Sequence, residues 1–285
     1  MRVSVVVEHG WDPATVEVDP LTGTVDAGRA IAGLGESSLA AVALALRLRG
    51  ESGRVEVIAA APAAADPELR SLLAAGVDAV LRVWGPGLDG APAEAAARAL
   101  AGPLSAASAD LVLAGDRSLD WGPGSLGPML AELLDVPAAT AVEALAITSS
   151  GGEVTVRRRL ERGRREQLAL RLPAVVCVEP GIAGLGVAPL PALLATRDAP
   201  VPVLAAPAEA DPACRRVRRL PPRPRPRRLP HPDPELPVEA RLAAMLGGQR
   251  GHVGEHTLVE GPPEVLAERI LDLLEERGYL ASGSG

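Results

Sequence analysis

A chain of 285 residues with 47% hydrophobic and 23% charged side chains has the make-up of a folded globular protein, which excludes a disordered polymer. Its net charge of −7 excludes a broad electrostatic affinity for nucleic acid, and no stretch approaches the roughly 20 apolar residues of a membrane-spanning helix, so no membrane insertion is expected. Two cysteines, Cys177 and Cys214, are too few for a disulfide framework or a four-ligand zinc site.

The elements follow in chain order. Val3–Val7 is a β-branched run, the signature of a strand buried on both faces, and too short for a signal peptide, which points to a cytoplasmic location. A loop from Glu8 to Gly35 follows, with a small hairpin at Val18–Val25 turning through Pro20 and Gly23. Ser37–Leu48 has helical spacing, with Ser37 or Ser38 as its cap. Arg54–Ala60 is a second strand, and Asp66-Pro67-Glu68 opens a short helix that ends at Gly76. Val77–Trp84 is a third strand, Pro92–Ala107 an Ala-rich helix and Asp110–Ala114 a fourth strand.

Strands that alternate with helices imply a parallel sheet covered on both faces, because parallel neighbours need crossovers of helix length. The fold class is therefore α/β: a doubly wound, mostly parallel sheet. In such sheets a ligand lies beyond the carboxyl ends of the strands, where the loops beginning at Glu8, Ala60 and Gly115 should meet. The third loop is the most distinctive. Gly115 closes the fourth strand, Ser118 and Asp120 follow, and Gly122, Gly124 and Gly127 lead through Ser125 and Leu126 into a helix ending at Leu134. Backbone N–H groups at such a junction suit a phosphate, and equally an ordinary strand-to-helix turn.

Beyond that helix the pattern changes. Glu153–Leu160 and Arg165–Leu172 alternate about a turn at Glu161–Arg164, an antiparallel hairpin with one wet face. Pro173–Val178 is one more buried strand, holding Cys177 as a small hydrophobe, and Pro191–Thr196 is a short helix. The α/β nucleotide-binding-type domain spans 1–200. An extended arm of 201–285 follows, with eight Arg from Arg215 to Arg228 among closely spaced prolines, weak helical character at Val238–Leu246 and a terminal helix over Glu264–Arg277.

Other constellations read as unremarkable structure. His252-Val253-Gly254-Glu255-His256 has the spacing of a zinc-peptidase motif, but Gly251 and Gly254 break the helix that such a site requires, and no metal site is expected. Gly184-Leu185-Gly186 lacks the third glycine of a dinucleotide fingerprint, and Ser150–Glu153 leads into a hairpin instead of following the first strand. The Arg-rich arm has no interleaved aromatics for base stacking and reads as solvated or facing a partner. No Ser/His/Asp or Cys/His set converges, so no catalytic residue is assigned. A stand-alone nucleotide-binding enzyme or sensor, and a structural partner that has lost its nucleotide, are both open readings of these residues.

The ordered set Val18-Asp19-Pro20-Leu21-Thr22-Gly23-Thr24, Ala74–Ala79, Gly115–Asp120 with Gly124, Gly127 and Pro128, Leu172–Val176, Pro189-Leu190-Pro191, Pro221-Pro222 and Glu260-Gly261-Pro262 resembles the beta subunit of electron-transfer flavoproteins. The resemblance implies an adenine nucleotide alpha hydrolase-like fold. It also implies a non-catalytic half of a heterodimer whose alpha subunit holds most of an FAD, and which takes electrons from a flavin-dependent dehydrogenase towards the respiratory chain. It implies further that Glu8, Ala60, Gly115, Ser118, Asp120, Gly122, Gly124, Ser125, Leu126 and Gly127 stand at the beta chain's own nucleotide site. In the family that site usually holds AMP, or a second FAD in electron-bifurcating members. The recognition loop would be Gly181–Arg197, with Leu190 at its tip and Pro189, Pro191 and Arg197 beside it. The departures lie in polar positions: Glu8 replaces a Lys, Ala32–Gly35 an Asn-Pro-x-Asp, Ser125 a Gln and Gly122 an acid. With the apparent insertion at Leu229–His256, they resemble a specialised paralogue serving a dedicated redox system such as the mycofactocin-linked one.

Overall fold

The computed structural model describes residues 1–19, 21–26, 28–119, 122, 124–148, 151–206, 236–245, 260–277 and 279. The chain divides into two units, Met1–Pro222 and Arg223–Gly285. The first contains strands β1 (Arg2–Trp11), β2 (Ala32–Leu34), β3 (Arg54–Ala60), β4 (Ala79–Trp84), β5 (Leu111–Gly115), β6 (Ala138–Ile147), β7 (Glu153–Arg159), β8 (Arg165–Arg171), β9 (Ala174–Val178) and β10 (Val203–Ala205). Its helices are α1 (Glu36–Leu48), α2 (Asp66–Ala74), α3 (Ala93–Ala107), α4 (Leu126–Leu134) and α5 (Leu190–Thr196). The second unit contributes α6 (Val238–Met245) and α7 (Pro263–Glu276), the latter beginning behind Pro262 with a proline in its first turn.

The strands form one sheet in the order β10-β4-β3-β1-β5-β9-β6-β7-β8, with β2 paired to the far end of β1. From β10 to β6 all neighbours are parallel, and β6, β7 and β8 continue antiparallel. The doubly wound, mostly parallel sheet with its antiparallel hairpin is thus observed. The β-branched run sits centrally because it buries both faces. Val3, Val5 and Val7 pack with α1 and α2, whereas Val6 packs with Leu100 and Leu104 of α3 and Leu130 of α4. Ser4, fully buried between such neighbours, donates to Glu56 Oε1 at 2.7 Å, which removes the cost of an orphaned hydroxyl.

The chain leaves β1 for β3 and β4 on one side and then returns across it to β5 on the other. This reversal is the topological switch point, where the loops after β1 and β5 part to opposite faces and open a crevice at the carboxyl edge.

Several sequence expectations are corrected. The first strand does not end at Val7 but continues to Trp11, because β2 pairs antiparallel with it from His9↔Leu34 to Trp11↔Ala32. Neither Ser37 nor Ser38 caps α1. Gly35 holds the cap position without a side-chain bond, and the Ser37 hydroxyl donates instead to the Arg117 carbonyl at 2.8 Å. The strand β6 is unforeseen: its Ala-rich sequence lacks a β-branched run, and a bulge with Ala141 at φ 53° breaks the two-residue period. The α/β unit also does not end before Val201. β10 adds an edge strand, with the Arg82 N–H donating to the Pro202 carbonyl at 2.9 Å and the Ala206 N–H to the Trp84 carbonyl at 3.0 Å. The prolines around it are tolerable because an edge strand need bond on one side only.

Candidate functional site at the carboxyl edge

Two clefts flank the extended end of β1 and share Ala32 and Ser118. The first, of about 420 Å3, is lined by the ends of β1, β3 and β4 and the start of α3, with Glu8, His9, Trp11, Trp84, Asp89 and Ser118 as its functional side chains. The second, of about 460 Å3, lies over the start of α1 and is lined among others by Asp12, Glu36, Ser37 and Arg117. Glu8, Ala60 and Ser118 therefore border one cavity, as the switch-point geometry requires.

The remaining residues of the third loop hold its shape. Gly115 lies against α1, where an added Cβ would stand 2.6 Å from Ser37 Oγ. At Gly124 a Cβ would run into the Asp116 carbonyl, and at Gly127 into Cys177 Sγ, so both positions need glycine to let the loop and α4 close on the sheet. Gly122 takes φ +77°, a turn conformation suited to glycine. Ser125 stands at the N-cap of α4 without a side-chain bond, and Leu126 points into the core beside Leu130. Asp120 lies outside the described residues, as do the histidines of the 252–256 motif and the Arg-rich run.

Electrostatics at this edge are acidic. Asp116 continues β5 by donating its N–H to the Val178 carbonyl at 2.9 Å. Burial raises its carboxyl above the usual 3.8, against the pull of the Arg117 guanidinium, whose Nε stands 3.4 Å from Oδ1. Burial, with the charges of Asp116 and Glu8 adding to it, pushes the Cys177 thiol up to about 12, so this cysteine remains an inert packing group behind Gly127. Arg82, on the opposite face from α3, is committed to Asp66 at 2.8 Å and holds the start of α2 to the sheet.

These residues do not suit a nucleotide phosphate. The described lining of the first cleft brings Glu8 and Asp89 and no Arg, and the chain contains no Lys. The second brings Arg117, already turned to Asp116, beside Asp12 and Glu36. An AMP phosphate or an FAD pyrophosphate would meet more carboxylates than guanidiniums in either place. Among the described residues no group of three or more His, Cys, Asp and Glu could hold a metal ion.

Trp84, Asp89, His9 and Trp11 line the first cleft, and the glycine pattern did not reveal them. The signal that finds them is position, since each lies at or just past the carboxyl end of a strand near the switch point.

The proposed docking segment lies elsewhere. Pro189 is the N-cap of α5, Leu190 and Pro191 form its first turn, and Arg197 follows its last residue. The helix packs on α2, and Arg70 Nε donates to the Ala199 carbonyl at 2.9 Å beyond it. Leu190 is 67% exposed, Leu194 61% and Val187 97%, so the segment presents apolar surface outward. Gly184-Leu185-Gly186 runs over α1, with Leu185 packed against the core. No residue of 181–197 lines either cleft among the described residues.

Comparison with known proteins accords with this geometry. Residues 22–209 match the model of the electron transfer flavoprotein domain. The chain is 30% identical over 164 residues to an electron transfer flavoprotein subunit beta of Thermoanaerobacterium thermosaccharolyticum, a match covering 57% of this chain and 62% of that protein. It is 32% identical over 128 residues to the corresponding subunit of Methylophilus methylotrophus, covering 45% of this chain and 48% of that one. The chain thus spans about half to three fifths of the length of these relatives. With the domain model matching most of the α/β unit, this chain belongs to the electron transfer flavoprotein family.

Proposed function

We propose that this chain is the beta-like subunit of an electron-transfer heterodimer, paired with an alpha-like subunit that holds most of an FAD. The observation that carries this reading is the match of residues 22–209 to the family domain, together with similarity to proteins named as beta subunits. It is supported by an exposed apolar segment at Leu190 and Leu194, separate from the clefts. FAD supplies reversible uptake of electrons and protons. This chain would cover the flavin held by its partner and present Gly181–Arg197 to a reduced flavin-dependent dehydrogenase, with the electrons passing on towards the respiratory chain.

Co-expression with an alpha-like chain and size-exclusion chromatography monitored at the flavin absorbance tests this. A yellow one-to-one complex is the expected result. A colourless monomer that binds ATP would overturn the proposal in favour of a stand-alone nucleotide-binding protein, and a colourless complex would favour a structural partner.

A further inference from the structure

The first cleft has the dimensions of a small-molecule site and lies where a doubly wound sheet binds its ligands. Its described lining combines two of the chain's three tryptophans, Trp11 and Trp84, with the carboxylates of Glu8 and Asp89, the single imidazole of His9 and no Arg. The chain contains only four aromatic Trp and Tyr residues and no Phe, so two indoles in one cavity are a concentrated investment in ring surface. Trp84 is half-buried and Asp89 exposed at the mouth, so indole surface and negative charge are both presented to a ligand. Indole faces carry a negative quadrupole, and adjacent carboxylates add to it, a combination that attracts a planar cation and repels an anion. The second cleft, joined through Ala32 and Ser118, compensates little, because its Arg117 stands among Asp12, Glu36 and Asp116.

We infer that this cleft is a binding site for a planar, positively charged aromatic ring, such as a pyridinium or a similar heterocyclic cation, in place of a nucleoside phosphate. The carboxylates set the sign of the charge accepted and the two indoles supply the stacking surface. The inference stands on the lining of the cleft and does not depend on the heterodimer, so its failure leaves the flavin content of the complex untouched.

Isothermal titration of the full-length chain tests it with rings of matched size and different charge. The probes are 1-methylnicotinamide, which is cationic, nicotinamide, which is neutral, and nicotinate, which is anionic, with AMP alongside. The expected order is cation, neutral ring, anion, with about a tenfold gap between the first and last and AMP weakest. Asp89→Asn and Glu8→Gln should each narrow the gap between cation and anion about threefold. Trp84→Leu should weaken both the cation and the neutral ring, and the cation the more of the two. Thermal melting of each variant separates a lost contact from a lost fold. Nicotinate or AMP binding as tightly as 1-methylnicotinamide would overturn the inference. So would an unchanged gap between cation and anion in the two carboxylate variants, or no saturable binding of the cation up to about 10 mM.

Discussion

The parallel and antiparallel halves of the sheet solve different problems with the same strand geometry. In the parallel half, Val5, Val57, Leu113 and Val176 are wholly buried, because helices cover both faces. In the antiparallel half only one face is dry. Val154, Val156 and Leu170 face the core. On the other face Glu143 accepts from Arg157 at 2.8 Å and from Arg165 at 2.7 Å, and at the end of the core face, beyond Val156, Arg158 pairs with Glu166 at 2.6 Å. The parallel half supplies the packed frame and, at its carboxyl edge, the clefts. The antiparallel half closes the sheet with charged strands whose Arg and Glu side chains discourage edge-to-edge pairing.

The largest effect that sharpens this contrast is a core truncation. Leu113→Ala should cost about 2–5 kcal/mol in urea unfolding, whereas Leu168→Ala on half-buried β8 should cost about 1 kcal/mol or less. Equal costs would remove the distinction. Next in size is Gly127→Ala, whose new methyl collides with Cys177 Sγ and should destabilise by about 1–3 kcal/mol. Combining it with Cys177→Ala should recover most of the loss, and additive single costs in that double-mutant cycle would show that the contact is not the cause.

Smaller effects come from the charges. Arg159 donates to Glu179 at 2.6 Å, beside Asp116, where the two halves meet. Because the Asp116 carboxyl is raised above its usual 3.8 in the folded protein, the folded state binds more protons than the unfolded state just above that pH. Unfolding free energy therefore falls as pH rises through that window. Asp116→Asn should melt higher than the parent at pH 7, by no more than about 2 °C, and lose that advantage below about pH 3.8. A gain that is the same at both pH values would contradict the assignment. Smallest is Glu143→Gln. The carboxyl is held below its usual range because Arg165 and Arg157 outweigh the opposing effect of burial. Its loss should lower the melting temperature slightly in low salt and not detectably in molar salt.

The parallel frame was legible because its residues state their burial directly. Runs such as Val3–Val7 and Ala174–Val178 admit few other readings, and helices between them dictate parallel pairing. The edge strands were not legible. β6 hides in an alanine-rich segment with a bulge, and β10 among prolines, so both depend on tertiary pairing more than on local pattern. At the site, the glycines marked where the chain turns. They did not reveal Trp84 or Asp89, which enter the cleft through the end of β4 and the loop beyond it. Ser37 shows the same limit from the other side. It has the chemistry of a helix cap, but the Arg117 carbonyl, 80 residues away in sequence, claims its hydroxyl.

Electron acceptance through the apolar segment at Leu190 is the central step of the proposed function, and anaerobic mixing measures it directly. The proposed complex with an alpha-like subunit, its flavin oxidised, is combined with a reduced flavin-dependent dehydrogenase while the flavin absorbance is followed. Bleaching is expected in the parent complex, and about a tenfold slower bleaching in Leu190→Ala at equal flavin content and melting temperature. Bleaching at equal rates in both would contradict the docking assignment, and no bleaching in the parent complex would contradict the role as an electron carrier.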